Sequence, residues 1–142
     1  MAEQLISAIE SSIQKTNLIL KDIESAYGWP KEQRNQSFAA LRGVLHLLRD
    51  RMPVQESAEF AAQLPIVLRG VYFDGWQPAN VPINLNRDDF LYELRQTFPY
   101  DVEGGTERVV QVVLDALSKR ITPGEWQEVK DTMPQDLVQM MP

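Results

Sequence analysis

Thirty residues from Leu41, LRGVLHLLRDRMPVQESAEFAAQLPIVLRG, align without a gap on thirty from Val110, VQVVLDALSKRITPGEWQEVKDTMPQDLVQ. Val44 falls on Val113, Leu45 on Leu114, Leu48 on Leu117 and Arg51 on Arg120. Further on, Glu56 meets Glu125, Glu59 meets Glu128, Pro65 meets Pro134 and Leu68 meets Leu137. Two extra loop residues in the first copy carry the register upstream, setting Ile19, Leu20, Ile23 and Tyr27 on Phe90, Leu91, Leu94 and Phe98. Any two amphipathic helices can share apolar spacing, but here the loop prolines and the acids coincide as well. The reading is a tandem duplication, so one supersecondary unit is built twice.

Each unit reads as four helices, and the chain as a single all-α domain of about nine. An N-terminal helix over 1–15 has Leu5, Ile9 and Ile13 in line. The first repeat spans 16–74, a linker 75–86, and the second repeat 87–142. Thr16 and Asn86 stand as N-caps of the first helices, with Asp88 and Asp89 in the positive first turn of the latter. The long second helices, 31–51 and 105–120, carry the apolar stripes Phe38, Leu41, Leu45, Leu48 and Val110, Leu114, Leu117, Ile121 at three-four spacing. These stripes are expected to face each other across one core. Thr122-Pro123-Gly124-Glu125 reads as a capping box, and Pro65 and Pro134 open the fourth helices. The linker GWQPANVPINLN has no helical period and reads as a loop.

Composition narrows what such a scaffold can do. The absence of cysteine removes disulfides, thiolate metal sites and cysteine nucleophiles, and fits a cytoplasmic setting. With 20 acidic against 14 basic residues the formal net charge is −6, which repels nucleic acid and anionic membrane surface. The first residues lack a signal-peptide pattern, and no apolar run reaches membrane-spanning length.

Chemistry-bearing residues are few. His46, the single histidine, falls on the stripe Asn35, Ala39, Arg42, His46, Arg49, opposite the apolar face, and is expected to be solvated and dispensable. Glu56, Glu59, Glu125 and Glu128 repeat an i, i+3 carboxylate pair in both copies and could hold a metal. Their ordinary role is that of first-turn acids stabilised by the helix dipole, with Arg51 and Arg120 near enough to pair with them. No histidine accompanies them as in helical di-iron sites. Trp76, Tyr72, Trp126, Met140 and Met141 are the candidate interaction residues, since aromatics and flexible methionines suit contact surfaces, although plugging a core edge is the commoner use of such rings. Gly104-Gly105 marks the start of a helix. Nothing implies a catalytic residue or a cofactor.

The run AAQLPIVLRGVYFDGW, preceded by ALRGVLHLLRDRM and echoed by MPQDL in the second copy, resembles the bacterial family known as domain of unknown function 2267. The resemblance runs from about Thr16 to the end, with the N-terminal helix outside it. It implies an all-helical fold and no established activity. The function expected from the residues is therefore a non-enzymatic protein-interaction or assembly module, with a protein partner or self-association. The alternative is a small-molecule or metal-binding protein with its site between the two repeats.

Overall fold

The computed structural model describes residues 2–142, and every regular element among them is helical. Eight α-helices follow in order: α1 Ala2–Tyr27, α2 Arg34–Arg51, α3 Val54–Ala62, α4 Ile66–Phe73, α5 Arg87–Thr97, α6 Gly105–Ser118, α7 Pro123–Asp131 and α8 Gln135–Val138. Short 3₁₀ turns at Lys31–Gln33 and Pro78–Asn80 complete the chain. No described helix is long and apolar enough to cross a membrane.

Eight helices stand where about nine were expected, because the first two are one. Nothing between Ile13 and Asn17 breaks a helix, and the Thr16 hydroxyl bonds back to the Ser12 carbonyl at 2.8 Å instead of capping a new start. The result is a continuous helix of 26 residues. Asn86 does cap α5, in a reciprocal box with Asp89. Pro53 and Pro134 occupy the N-cap positions of α3 and α8, Pro65 that of α4, and α3 and α7 are both nine residues long.

Helix α2 forms the centre. It packs against α1, α4, α5 and α6, and from Leu41 to Met52 no residue is exposed. Helices α2 and α6 pack against each other, and Leu41, Leu45, Leu48 of the first and Val110, Leu114, Leu117 of the second are all fully buried in one core. Phe38 departs from the expected stripe and is 36% exposed. Gly43 lets α5 approach closely: a Cβ there would lie 2.8 Å from Leu94 Cδ1. One cluster of buried side chains draws on every helix.

A helix buried on both sides must satisfy its polar residues internally, and this overturns the expectation for His46. In the stripe opposite the leucines, His46 and Arg49 lie against the carboxyl end of α4. His46 donates through Nε2 to the Val71 carbonyl at 2.7 Å, and burial holds its imidazole below its ordinary pKa, so it stays neutral. Arg49, itself buried, donates Nη1 to the carbonyls of Tyr72 and Asp74 at 3.1 and 2.8 Å. Helix α4 has no basic residue in its last turn, and α2 supplies what its carboxyl end lacks. At the other end the Ser12 hydroxyl accepts the Val67 amide at 2.7 Å. The carboxyl end of α1 is served likewise by Arg108 of α6, which donates to the Ala26 carbonyl and lies over the Tyr27 ring. Across the turn at Gly28, Glu24 takes two bonds from Arg34 and one from the Ser37 hydroxyl, and the guanidinium holds its carboxyl below the usual range.

Leu45→Ala and Leu114→Ala are each expected to cost about 2–5 kcal/mol in urea denaturation, with a single transition. His46→Ala leaves the Val71 carbonyl without its donor and is expected to cost about 1–2 kcal/mol. An unchanged midpoint for the histidine variant would restore the solvated reading.

Candidate functional site

The four repeated glutamates come together. Helices α3 and α7 pack against each other, and one carboxylate oxygen from each of Glu56, Glu59, Glu125 and Glu128 lies within 4.8 Å of the other three. Glu56 and Glu125 form the inner pair, and Glu59 and Glu128, one turn on, are exposed.

Capping explains why the inner pair is free to converge. Each occupies the third position of its helix, where a glutamate ordinarily reaches back to the N-cap amide. Pro53, at the N-cap of α3, has no N–H to offer Glu56. In α7 the Thr122 hydroxyl accepts the Glu125 amide at 3.3 Å, but the return bond of the expected box is not made. Gln63, from the end of α3, takes the Thr122 amide on Oε1 at 2.8 Å and donates Nε2 to the Thr122 hydroxyl at 3.1 Å. The Glu125 carboxyl thus turns inward, 8% exposed, and among the described residues its Oε2, like Glu56 Oε2, finds no partner other than the neighbouring acids.

The expected arginine partners are engaged elsewhere or stand apart. Arg120 pairs with Asp22 at 2.8 Å, and Arg51 makes no ion pair within 4.0 Å among the described residues. Burial first, and then the nearby Glu56 and Glu128, push the Glu125 carboxyl up to about 9. Glu125 thus does more than decorate a helix start, since a first-turn acid stabilised only by a dipole would be solvated and ionised.

The expected interaction residues belong mostly to the core. Tyr72 is fully buried, its hydroxyl 3.0 Å from that of Ser57, and burial raises its pKa. Trp126, Met140 and Met141 are buried too, with the Trp126 indole donating to the Pro142 carbonyl at 2.8 Å. Trp76 is half-buried against Phe73. Of the five, four have no free surface to offer, because the chain's own helices occupy it. Gly104 and Gly105 take positive φ at the start of α6, as a helix-initiating turn requires.

Five of the exposed large apolar residues, Leu5, Ile6, Ile9, Ile13 and Leu18, lie on α1. Its seam Leu5, Ile9, Ser12, Thr16, Ile19, Ile23 follows alternating spacings of four and three. From Ser12 onward the seam is buried; before it, Leu5 is 61% and Ile9 40% exposed, flanked by Ile6 and by Ile13 at 44%. A cleft of about 560 Å³ continues this stripe, bounded by Leu18, Pro65 and Ile66, with Lys15 and Arg69 at its rim. In the sequence, this surface is marked by the apolar line Leu5, Ile9 and Ile13.

In a metal-chelating buffer, Glu125 makes stability fall with rising pH. Below about 4.5 its carboxyl is protonated in folded and unfolded chains alike; above that the unfolded chain releases its proton first, and the folded state loses ground until Glu125 ionises near about 9. Glu125→Gln is expected to flatten this decline, raising the melting temperature at pH 7–8 and leaving it nearly unchanged at pH 4. A variant that tracks the natural chain at every pH would contradict the geometry.

A search among curated proteins finds no match to the chain. The family model described as "Uncharacterized conserved protein (DUF2267)" matches residues 16–140, which takes in the buried part of α1, the carboxylate cluster and all the later helices. The match begins at Thr16, within the buried part of the seam, and omits the exposed half of α1. The chain belongs to this DUF2267 family of uncharacterised conserved proteins.

Proposed function

We propose that the protein is a non-enzymatic assembly module that pairs with a second copy of itself through the first half of α1. The observation that carries this is the continuity of the seam: one face of one helix is core from Ser12 onward and uncovered before it. Apolar residues repeated along a helix face and left open to water favour association.

The chemistry fits a copy of the same chain. From Ala2 to Gln14 the helix carries Glu3 and Glu10 and no basic residue, while the adjoining cleft carries Lys15 and Arg69. Two α1 helices crossed antiparallel about Ile9 set Leu5 against Ile13 of the partner subunit. The same arrangement sets Glu3 beside Lys15 of the partner subunit. Such a contact is isologous and closes as a dimer. The lack of cysteine supports placing it in a bacterial cytoplasm, and the net charge of −6 argues against nucleic acid as the partner. The equal lengths of α3 and α7, and the packing of α2 on α5 alongside that of α6 on α1, support the duplicated plan.

Sedimentation equilibrium over a range of concentrations is expected to show a monomer–dimer equilibrium. Ile9→Asp, at an exposed position, should abolish the dimer while leaving helical content intact. Glu3→Lys and Lys15→Glu should each weaken it, and the double exchange should restore it. A strict monomer at all concentrations, or a dimer indifferent to Ile9→Asp, would sink the proposal.

A further inference from the structure

Among the described residues, no basic side chain makes an ion pair within 4.0 Å with the carboxylates gathered between α3 and α7. Four acids whose oxygens lie within 4.8 Å of one another cannot all ionise without repulsion, and Glu125 is buried besides. Two features show that the arrangement is built. Gln63 takes over the Thr122 amide that Glu125 would ordinarily satisfy, releasing that carboxylate. The released side chain is more than nine-tenths buried and aims into the cluster an Oε2 that, like Glu56 Oε2, has no partner among the described residues other than the neighbouring acids.

We propose that Glu56, Glu59, Glu125 and Glu128 bind one hard divalent cation of calcium's size, bridging α3 and α7. The donor set is all oxygen, which suits calcium, magnesium or manganese rather than zinc or copper, whose sites draw on imidazole or thiolate. The single histidine is committed to the Val71 carbonyl, and the chain has no cysteine. Coordination demands separate the hard ions. Carboxylate oxygens that all lie within 4.8 Å of one another can close around an ion of calcium's size, which takes six to eight oxygens in a tolerant geometry. Magnesium demands near-ideal octahedral placement and keeps much of its water, which four crowded side chains do not accommodate. Two of the ligands come from the first half of the chain and two from the second, so the ion acts as a staple between them.

The test is isothermal titration of the chelator-stripped full chain with calcium, magnesium and zinc chlorides in turn, alongside thermal melts. Calcium is expected to bind at one ion per chain, more tightly than the other two, and to raise the melting temperature. Glu59→Gln with Glu128→Gln removes the two exposed acids without touching the core. This variant is expected to lose at least about tenfold in calcium affinity, since affinity follows ligand charge, and to lose the thermal shift while folding as well as the natural chain in chelator. Glu125→Gln should also lose calcium affinity and the calcium-dependent thermal shift, from a melting temperature in chelator above that of the natural chain, and Glu93→Gln, on the exposed face of α5, should bind as the natural chain does. Absence of calcium binding at millimolar concentration would overturn the proposal. So would binding that survives in the double variant, or a preference for magnesium or zinc.

Discussion

The burial of α2 on both faces is the constraint from which much of this structure follows. A long helix that from Leu41 to Met52 has no exposed residue leaves a buried donor or acceptor unmatched there only at a cost of about 1–3 kcal/mol each. The leucine face is settled by α6. The polar residues buried along the helix are Ser37, His46 and Arg49, and each finds a fixed partner: the Glu24 carboxylate, the Val71 carbonyl, and the carbonyls of Tyr72 and Asp74. The polar stripe of α2 therefore positions α1 and α4 as firmly as the apolar stripe positions α6.

Much of this was legible in the sequence where local chemistry decides. The starts of α3, α4, α7 and α8 follow from their prolines and Thr122, and the start of α5 from Asn86; the leucine stripe of α2 followed from its period. Expectations failed where a distant residue intervened. Thr16 has the right side chain for a cap, but nothing upstream stops the helix, so its hydroxyl turns to Ser12. His46 reads as solvated until α4 is laid over it. Glu125 reads as half of a capping box until Gln63, from another helix, takes the other half. Tyr72 and Trp126 resemble surface anchors because aromatic residues near helix ends serve cores and interfaces alike. Spacing alone cannot tell those apart.

The two surfaces left over by the fold are neighbours through Gln63. This side chain lines the cleft beside α1 and also bonds Thr122 at the start of α7, one turn from the carboxylates. A cation drawing α3 and α7 together would bear on the side chain that bounds the dimer cleft. Self-association and ion binding are thus physically placed to influence one another, while resting on different residues.

The capping of α4 by its neighbours has a consequence for how the molecule opens. A helix normally unravels from its ends, where amides and carbonyls already face water. In α4 the Val67 amide is held by α1, and the last carbonyls by α2. With fraying suppressed at both ends, its backbone amides can reach solvent chiefly when α1 and α2 let go, so these three helices share one opening event. A helix of eight residues, which alone would be too short to persist in water, thereby acquires the hydrogen-exchange lifetime of the domain's centre.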